Sequence, residues 1–332
     1  MKSLCILCPV YREEAGIRGF HERLQRALLP LRERYTITTL YALDPSPDRT
    51  ELELQALSAQ DSTVETLVMS RRFGHQAALL AGMDECRADA LVMLDSDGQH
   101  PPELIAELVA RWEAGADIVQ TLRTDARETS WIRRATSRWF YQLLQKVGSV
   151  ELKGGAADFR LLARPVLEVF RRELRERNPF VRGLISWVGF NICYVAFAPE
   201  VRAAGRSNYR ASTLVNFALQ GIASFSKTPL RACATLGLFI ALLSFVSGAA
   251  QLLMYFWRGA NVPGWASLFA ALSFLGGVQL FFLGVIGEYV GLIFDEVKGR
   301  PRYLLRHRYR NGELVRPDTS SEPAPLTGLS RS

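Results

Sequence analysis

The chain lacks charge over two long stretches near its C-terminus. No charged residue lies between Arg231 and Arg258, and none between Arg258 and Glu288. Those gaps exclude an ordinary solvated surface for the residues inside them. A helix that crosses a membrane needs roughly 20 mostly apolar residues to span a hydrocarbon core about 30 Å thick, and both gaps reach that length. The GANVPG linker at 259–264 has room only for a tight turn, so the two stretches predict a helical hairpin in a bilayer. Cysteine is scarce too, with five residues scattered at 5, 8, 86, 193 and 233. Cys5 and Cys8 fall in an apolar run that reads as a strand, where positions three apart point to opposite faces and share neither a metal nor a disulfide. All five read as small buried hydrophobes. The four histidines show no metal-ligand spacing. The N-terminus, MKSLCILCPVYREE, has only a short apolar stretch that runs into a polar motif. It reads as a first strand, not a secretory leader.

What is present suits two units within 332 residues: a soluble domain and a membrane module. The net charge of +7 fits anionic lipid headgroups or a phosphate-rich substrate. No recognition motif for nucleic acid accompanies it, so nucleic acid is not an expected partner. Over the first 125 residues strands alternate with helices. LCILCPV, TITTLYAL, VETLVMS, ALVMLD and DIVQTL read as strands, and roughly 14–34, 48–60, 75–87 and 101–114 as helices. That alternation predicts an α/β domain with a mostly parallel sheet, whose ligands bind at the carboxyl ends of the strands. The stretch 130–177 reads as mostly helical and basic, interrupted by LKGGAADFRLL, and ICYVAFA as a further strand. Residues 212–228 place Leu214, Phe217, Ala218, Gly221, Ile222 and Phe225 on one helical face, the pattern of a helix lying on the bilayer surface. The boundaries expected are 1–211 for the soluble domain, 212–228 for the interfacial helix, 229–293 for two membrane helices and 294–332 for a basic segment with a disordered tail. The basic flank Lys298, Arg300, Arg302, Arg306, Arg308 and Arg310 predicts a cytoplasmic C-terminus, and two crossings put the soluble domain on the same side. Gly277, Gly284 and Gly291 recur at heptad spacing, a small-residue face that seals the hairpin or joins subunits.

The strongest chemical signal is ALVMLDSDGQHPPE, residues 90–103. An apolar strand delivers Asp95 and Asp97 at its carboxyl end. Two carboxylates so placed can grip a divalent cation, with Gln99 as a further oxygen ligand. Such a cation neutralises a diphosphate and helps it depart.

PVYREE, LDPSPDRT, SRRFGHQAALLAGMD, DSDGQHPPE, DFRLLARPV and GEYVGLIFDEVKGRPRY occur in this order over residues 4–303. Together they resemble the family 2 glycosyltransferases that act on polyprenyl phosphates, such as dolichol-phosphate mannose synthases, bactoprenol glucosyltransferases and undecaprenyl-phosphate aminoarabinose transferases. The resemblance implies a GT-A nucleotide-binding α/β domain followed by an interfacial helix and a two-helix transmembrane hairpin. It implies inverting transfer of a monosaccharide from a nucleotide-sugar to polyprenyl phosphate on the cytoplasmic side of a bacterial inner membrane. A Mg²⁺ or Mn²⁺ ion and a homo-oligomer, with tetramers among relatives, belong to the same expectation. Pro9, Tyr11, Glu13, Asp44 and Asp95 match nucleotide-binding positions, and Asp48 the last acid of the second motif. Asp95, Asp97 and Gln99 match the metal motif, and Asp97 and Asp158 catalytic positions, Asp158 as a base or as an orienting group. Arg123, Arg133 and Arg160 match the acceptor-phosphate site, and Arg202, Arg206 and Ser207 a loop that closes over the donor. The chain departs from the family pattern at Arg12, usually Asn, at Pro45, usually Gly, and at Leu43, usually an Asp that contacts the base. Leu43 therefore predicts weaker discrimination among bases. Two other readings compete. A processive polysaccharide synthase needs a Q-x-x-R-W motif, and neither Arg111-Trp112 nor Arg138-Trp139 has Gln three residues before Arg. A non-catalytic membrane scaffold draws support only from Leu43 and Pro45.

Overall fold

The computed structural model describes residues 1–124, 155–177, 179–199 and 264–315, with scattered helical positions between 230 and 257. The chain forms two compact units. Of the described residues, the first holds those up to 199 together with 301–315, and the second those from 230 to 300. The expected interfacial helix, the C-terminal tail and most of the first membrane stretch lie outside the described residues.

In the first unit β1 (Lys2–Val10) sits at the middle of a nine-stranded sheet. Its run from Leu4 to Val10 is buried throughout, which explains the continuous apolar sequence: a strand covered on both faces has no polar side to show. Cys5 and Cys8 both lie in this strand and are buried. Helix α1 (Ile17–Arg32), β2 (Tyr35–Leu43), α2 (Thr50–Gln60), β3 (Val64–Met69), α3 (His75–Glu85) and β4 (Ala90–Met93) follow. The strands β2, β1 and β4 run parallel side by side, with β3 parallel on the outside of β2. A 3₁₀ turn at Pro102–Leu104 then leads into α4 (Ile105–Glu113) and β5 (Ile118–Arg123). The Pro101-Pro102 pair opens this helix, as its sequence suggests.

The sheet is more mixed than the strand–helix alternation predicts. The segment read only as an interruption, ADFRLLA, forms β6 (Ala156–Ala163), and it inserts antiparallel between β4 and β5. Next come α5 (Arg164–Arg172), α6 (Val181–Trp187) and β7 (Ile192–Phe197), which pairs parallel with β5 at one edge. The other edge comes from the far end of the chain. LRHRYR, read as part of a basic flank, forms β8 (Leu305–Arg310), antiparallel to β3, and β9 (Glu313–Val315) pairs with it. Several of its basic side chains find acids: Arg310 Nη2 lies 2.7 Å from Glu65, and His307 Nε2 lies 2.9 Å from Glu51. Arg308 pairs with Glu65 and Glu85.

The second unit is dominated by α7 (Trp265–Lys298), 34 residues ending in a left-handed Gly299 cap. At 1.5 Å per residue it is about 51 Å long. Its stretch Phe274–Lys298 is long and apolar enough to cross a membrane, with mean hydropathy 1.8. Within this unit Gly237 admits Phe282, whose Cε2 would lie 3.4 Å from an added Cβ. Among the described residues nothing lies within 4 Å of an added Cβ at Gly277, Gly284 or Gly291.

One packing detail fixes the position of α3. Gly82 lies so close to β1 that a Cβ there would meet Leu7 Cδ1 at 2.2 Å, and Leu7 is fully buried. At the end of β2, Leu43 is also fully buried and belongs to the main core. It packs in the core and its side chain offers no hydrogen-bond acceptor. An aspartate at that place would carry an unpaired charge into the core, at a cost of about 4 kcal/mol or more. Leu43→Asp should therefore lower the melting temperature of the full chain sharply, as read by thermal unfolding in detergent. A variant that melts like the parent would contradict the placement of Leu43.

Candidate active site

The carboxyl ends of β1, β2 and β4 gather the residues that the sequence motifs single out. After β4 the chain turns at once. Leu94 donates its amide to Leu7 O, and Ser96 Oγ donates to Pro9 O at 3.2 Å, so the loop is tied to β1. Asp97 Oδ1 accepts the Gln99 amide at 3.0 Å across Gly98, whose φ of 78° is one that glycine adopts without strain. This places Asp95, Asp97 and Gln99 on one short loop. Asp95 Oδ1 is buried and accepts no hydrogen bond. An orphaned carboxylate oxygen is costly unless something else occupies it, and hard oxygen donors suit Mg²⁺ or Mn²⁺. The pair is chemically suited to a divalent cation. Among the described residues no third His, Cys, Asp or Glu side chain completes a metal cluster. Gln99 Oε1 also accepts from Arg123 Nη2 at 3.0 Å, and Arg123 Nε is buried without a partner.

His100 holds this loop from below. The Asp95 amide donates to its Nδ1 at 3.0 Å, which leaves the proton of a neutral ring on Nε2. The ring stacks on Phe159 at 5.3 Å and meets Phe197 edge-on at 5.7 Å. Burial lowers its pKa, against the charges of Asp95 and Asp97.

Asp44 turns out to be engaged by the protein. It is buried, and its two oxygens accept the amides of Phe73 at 2.7 Å and Gly74 at 2.9 Å. Gly74 has φ 96°, and the next residue, His75, opens α3. The acid expected at the nucleotide thus anchors the loop that delivers His75. Asp48 accepts from Ser46 Oγ and from Thr50 Oγ1, at 2.5 and 2.8 Å, at the start of α2. The Glu13 amide donates to Thr50 Oγ1 at 3.0 Å. Tyr11 lies beneath the Arg72 guanidinium, 4.3 Å away, with Arg12 at 5.4 Å.

The other half of the site stands on β6. Asp158 and Arg160 are two apart and so share a face, while Phe159 faces His100 on the other side. Asp158 is 5% exposed, and cations meet both its oxygens. Arg160 Nη2 donates to Oδ1 at 2.6 Å, Arg182 Nε to Oδ1 at 2.9 Å and Arg182 Nη2 to Oδ2 at 2.6 Å. His75 Nε2 lies 3.4 Å from Asp158 Oδ2 and 3.7 Å from Asp95 Oδ1, so it bridges the two halves. Burial alone would raise the pKa of Asp158, but Arg182, His75 and Arg160 together hold it well below the usual carboxylate range. Burial likewise lowers His75, yet its hydrogen bond to Asp158 and the charges of Asp95 and Asp158 leave it raised. Arg160, expected at an acceptor phosphate, is 1% exposed and gives Nη2 to Asp158 and to Ala157 O. It neutralises Asp158 inside the fold. Arg133, Arg202, Arg206 and Ser207 lie outside the described residues. Sequence reasoning missed His75 as the bridge and missed Arg182 altogether. The one available signal was that His75 sits inside a family motif.

Residues 5–170 match the model of the glycosyl transferase family 2, and residues 228–293 match the GtrB C-terminal hairpin. The SfII prophage-derived bactoprenol glucosyl transferase of Shigella flexneri is 39% identical over 93% of this chain and 99% of its own length. An uncharacterized glycosyltransferase of Synechocystis is 39% identical over 91% of this chain and 94% of its own. A prophage bactoprenol glucosyl transferase homolog of Escherichia coli is 37% identical over 92% of this chain and 98% of its own. Among solved structures, glucosyl-3-phosphoglycerate synthase of Mycobacterium tuberculosis, in complex with Mn²⁺, UDP and glucosyl-3-phosphoglycerate, aligns with TM-score 0.42 at 20% identity. The alignment covers 67% of this chain and 78% of that one.

The carboxylate of Asp158 has a testable thermodynamic signature. Its folded pKa lies below its unfolded one, so its contribution to stability is complete above the ordinary carboxylate range. That contribution is lost only as pH falls through the lower folded value. Asp158→Asn leaves Arg160 without its counter-ion and should cost about 3 kcal/mol or more at neutral pH. Chemical denaturation from pH 8 down to pH 3 checks both statements: the gap between parent and variant should stay constant at neutral pH and narrow only in acid. A gap that closes near neutrality would contradict them.

Proposed function

Since the chain belongs to the glycosyl transferase family 2 and carries a GtrB-type hairpin, we propose that it moves a monosaccharide from a nucleotide-sugar to a polyprenyl phosphate. The observation that carries this reading is a carboxylate pair with an orphaned buried oxygen, linked through His75 and Gln99 to arginines, on a chain that also holds a helix of membrane length. The acceptor class comes from the relatives, which are named bactoprenol glucosyl transferases and match nearly the whole chain.

A Mg²⁺ or Mn²⁺ ion bound by Asp95 and Asp97 would screen the donor diphosphate and stabilise it as a leaving group. The protein's own residues do the remainder. Gln99 and Arg123 hold one another, and Arg123 presents a guanidinium to an anionic ligand beside the carboxylate pair. An acceptor phosphate oxygen attacks the anomeric carbon, the bond from that carbon to the diphosphate oxygen breaks, and the diphosphate leaves with the electron pair. The configuration inverts. The second pKa of a phosphate monoester is about 6, so near pH 7 the acceptor is already mostly dianionic and yields no proton. Asp158, locked by arginines and far below its usual pKa, orients charge and takes no proton.

The sheet also supports a membrane topology. β8 follows α7 in the chain yet pairs with β3, which supports a reading in which the segments before and after the hairpin share one side of the bilayer and the number of crossings is even. Two crossings of a bacterial inner membrane, with the catalytic unit in the cytoplasm, agree with the basic residues after α7. Gly277, Gly284 and Gly291 recur at heptad spacing on α7, and a small-residue face of that kind supports close packing of helices, as in a homo-oligomer.

The test is transfer by the full chain in liposomes containing undecaprenyl phosphate, with a panel of radiolabelled nucleotide-sugars. One of them should yield labelled lipid, and chelation should stop the reaction until Mg²⁺ or Mn²⁺ is restored. Asp97→Asn should reduce transfer by about a hundredfold or more without lowering the melting temperature. Full activity in chelator would remove the metal from the account, and no labelled lipid with any donor would overturn the reading.

A further inference from the structure

We propose that Arg12 binds the diphosphate of the nucleotide-sugar donor, and that the strained backbone at this residue is held for that contact. The inference rests on the transfer reaction proposed above. Three observations carry it.

The first is strain. Arg12 has φ 57°, in the left-handed region that L side chains seldom adopt. Among the described residues one other non-glycine residue has a positive φ, Asn311 in the turn between β8 and β9. Asparagine tolerates that conformation because its short polar side chain bonds locally, whereas arginine has no such compensation. The chain is pinned on both sides of Arg12. Val10 O accepts the Asp44 amide at 3.0 Å, and the Glu13 amide donates to Thr50 Oγ1 at 3.0 Å. Strain of this kind gathers where ligands bind.

The second is unmatched charge. Arg12 is exposed, and among the described residues its guanidinium makes no hydrogen bond or ion pair; it sits 5.4 Å from the Tyr11 ring. Arg72 lies over the same ring at 4.3 Å. Asp44 is 3.9 Å from Arg72 Nε, and its oxygens also accept two amides. Two cations therefore share one ring, and of the two only Arg72 has an acid beside it. A bound anion offsets their mutual repulsion.

The third is place. Arg12 closely follows β1, at the carboxyl end of the sheet. Just before it, Pro9 O accepts Ser96 Oγ, and Ser96 stands between Asp95 and Asp97. The loop suited to a metal is thus tied to the strand that carries Arg12. A nucleoside diphosphate at that metal brings its anionic oxygens to this end of β1. A guanidinium, with its N–H donors fixed in one plane, matches paired phosphate oxygens.

Strain kept for a ligand has a double signature: relieving it stabilises the fold and weakens binding. With the full chain in detergent and Mn²⁺ present, titration calorimetry gives the Kd for UDP, GDP, ADP and dTDP. Thermal unfolding without nucleotide gives the melting temperature. Arg12→Asn removes the guanidinium and suits the left-handed backbone. It should melt at or above the temperature of the parent, yet raise the Kd of whichever diphosphate the parent binds by about tenfold to a hundredfold. Arg12→Lys keeps the charge without the fork, and its Kd should fall between those of the parent and the asparagine variant. A Kd for Arg12→Asn within twofold of the parent would overturn the proposal. So would an asparagine variant that melts several degrees early, since the arginine would then serve the fold. A lysine variant as weak as the asparagine one would place the contact on the base and overturn the assignment to the diphosphate. A parent that binds none of the four diphosphates and transfers to no acceptor would instead overturn the proposed function, and this inference with it.

Discussion

Asp158 is a carboxylate at 5% exposure, and the cations around it decide how the site is arranged. A lone buried charge is prohibitive, whereas a charge with well-placed partners is stable but intolerant of losing any of them. Arg160 comes from the same strand, Arg182 from α6 and His75 from α3. One carboxylate thus ties three elements together at the carboxyl end of the sheet. Strand β6 does this because side chains alternate along it. Asp158 and Arg160 face the polar cluster, and Phe159 between them faces His100, which holds the Asp95 amide. One strand therefore sets both the charge cluster and the loop of the metal motif.

A second chain of contacts runs from Asp44 to the same point. Asp44 takes the amides of Phe73 and Gly74, so the turn before α3 is fixed, and His75 emerges from it toward Asp95 and Asp158. The helix behind His75 lies close on β1 because Gly82 has no side chain to hold it away from Leu7. Two acids that the sequence assigns to the site, Asp44 at the nucleotide and Asp158 as a base or orienting group, thus accept the protein's own donors. Asp95 Oδ1, by contrast, is buried and accepts no hydrogen bond, with His75 Nε2 3.7 Å away.

What the sequence makes legible follows from how local each feature is. The Asp95–Gln99 loop depends on an apolar strand, an Asp turn and a glycine within ten residues, and all three are visible in the text of the chain. The strands of the first half are legible because apolar runs buried on both faces look like nothing else. β6 and β8 defeat the same reasoning. ADFRLLA reads as an interruption among helices and LRHRYR as a basic flank, and only strand partners far along the chain make them strands. His75 and Asp158 are likewise far apart in sequence, as are Arg182 and Asp158, 24 residues apart in a different element. No spacing rule brings such pairs together.

The central claim is that this site orders charge around a nucleophile that is already ionised, with Asp158 as an anchor and not a base. The solvent isotope effect tests it most directly. Single-turnover transfer to undecaprenyl phosphate would be timed in H₂O and in D₂O at matched acidity near pH 7.5. If no proton moves in the transition state, the two rate constants should agree within error. A clear slowing in D₂O, abolished in Asp158→Asn, would show a proton passing to Asp158 during transfer and would contradict the account.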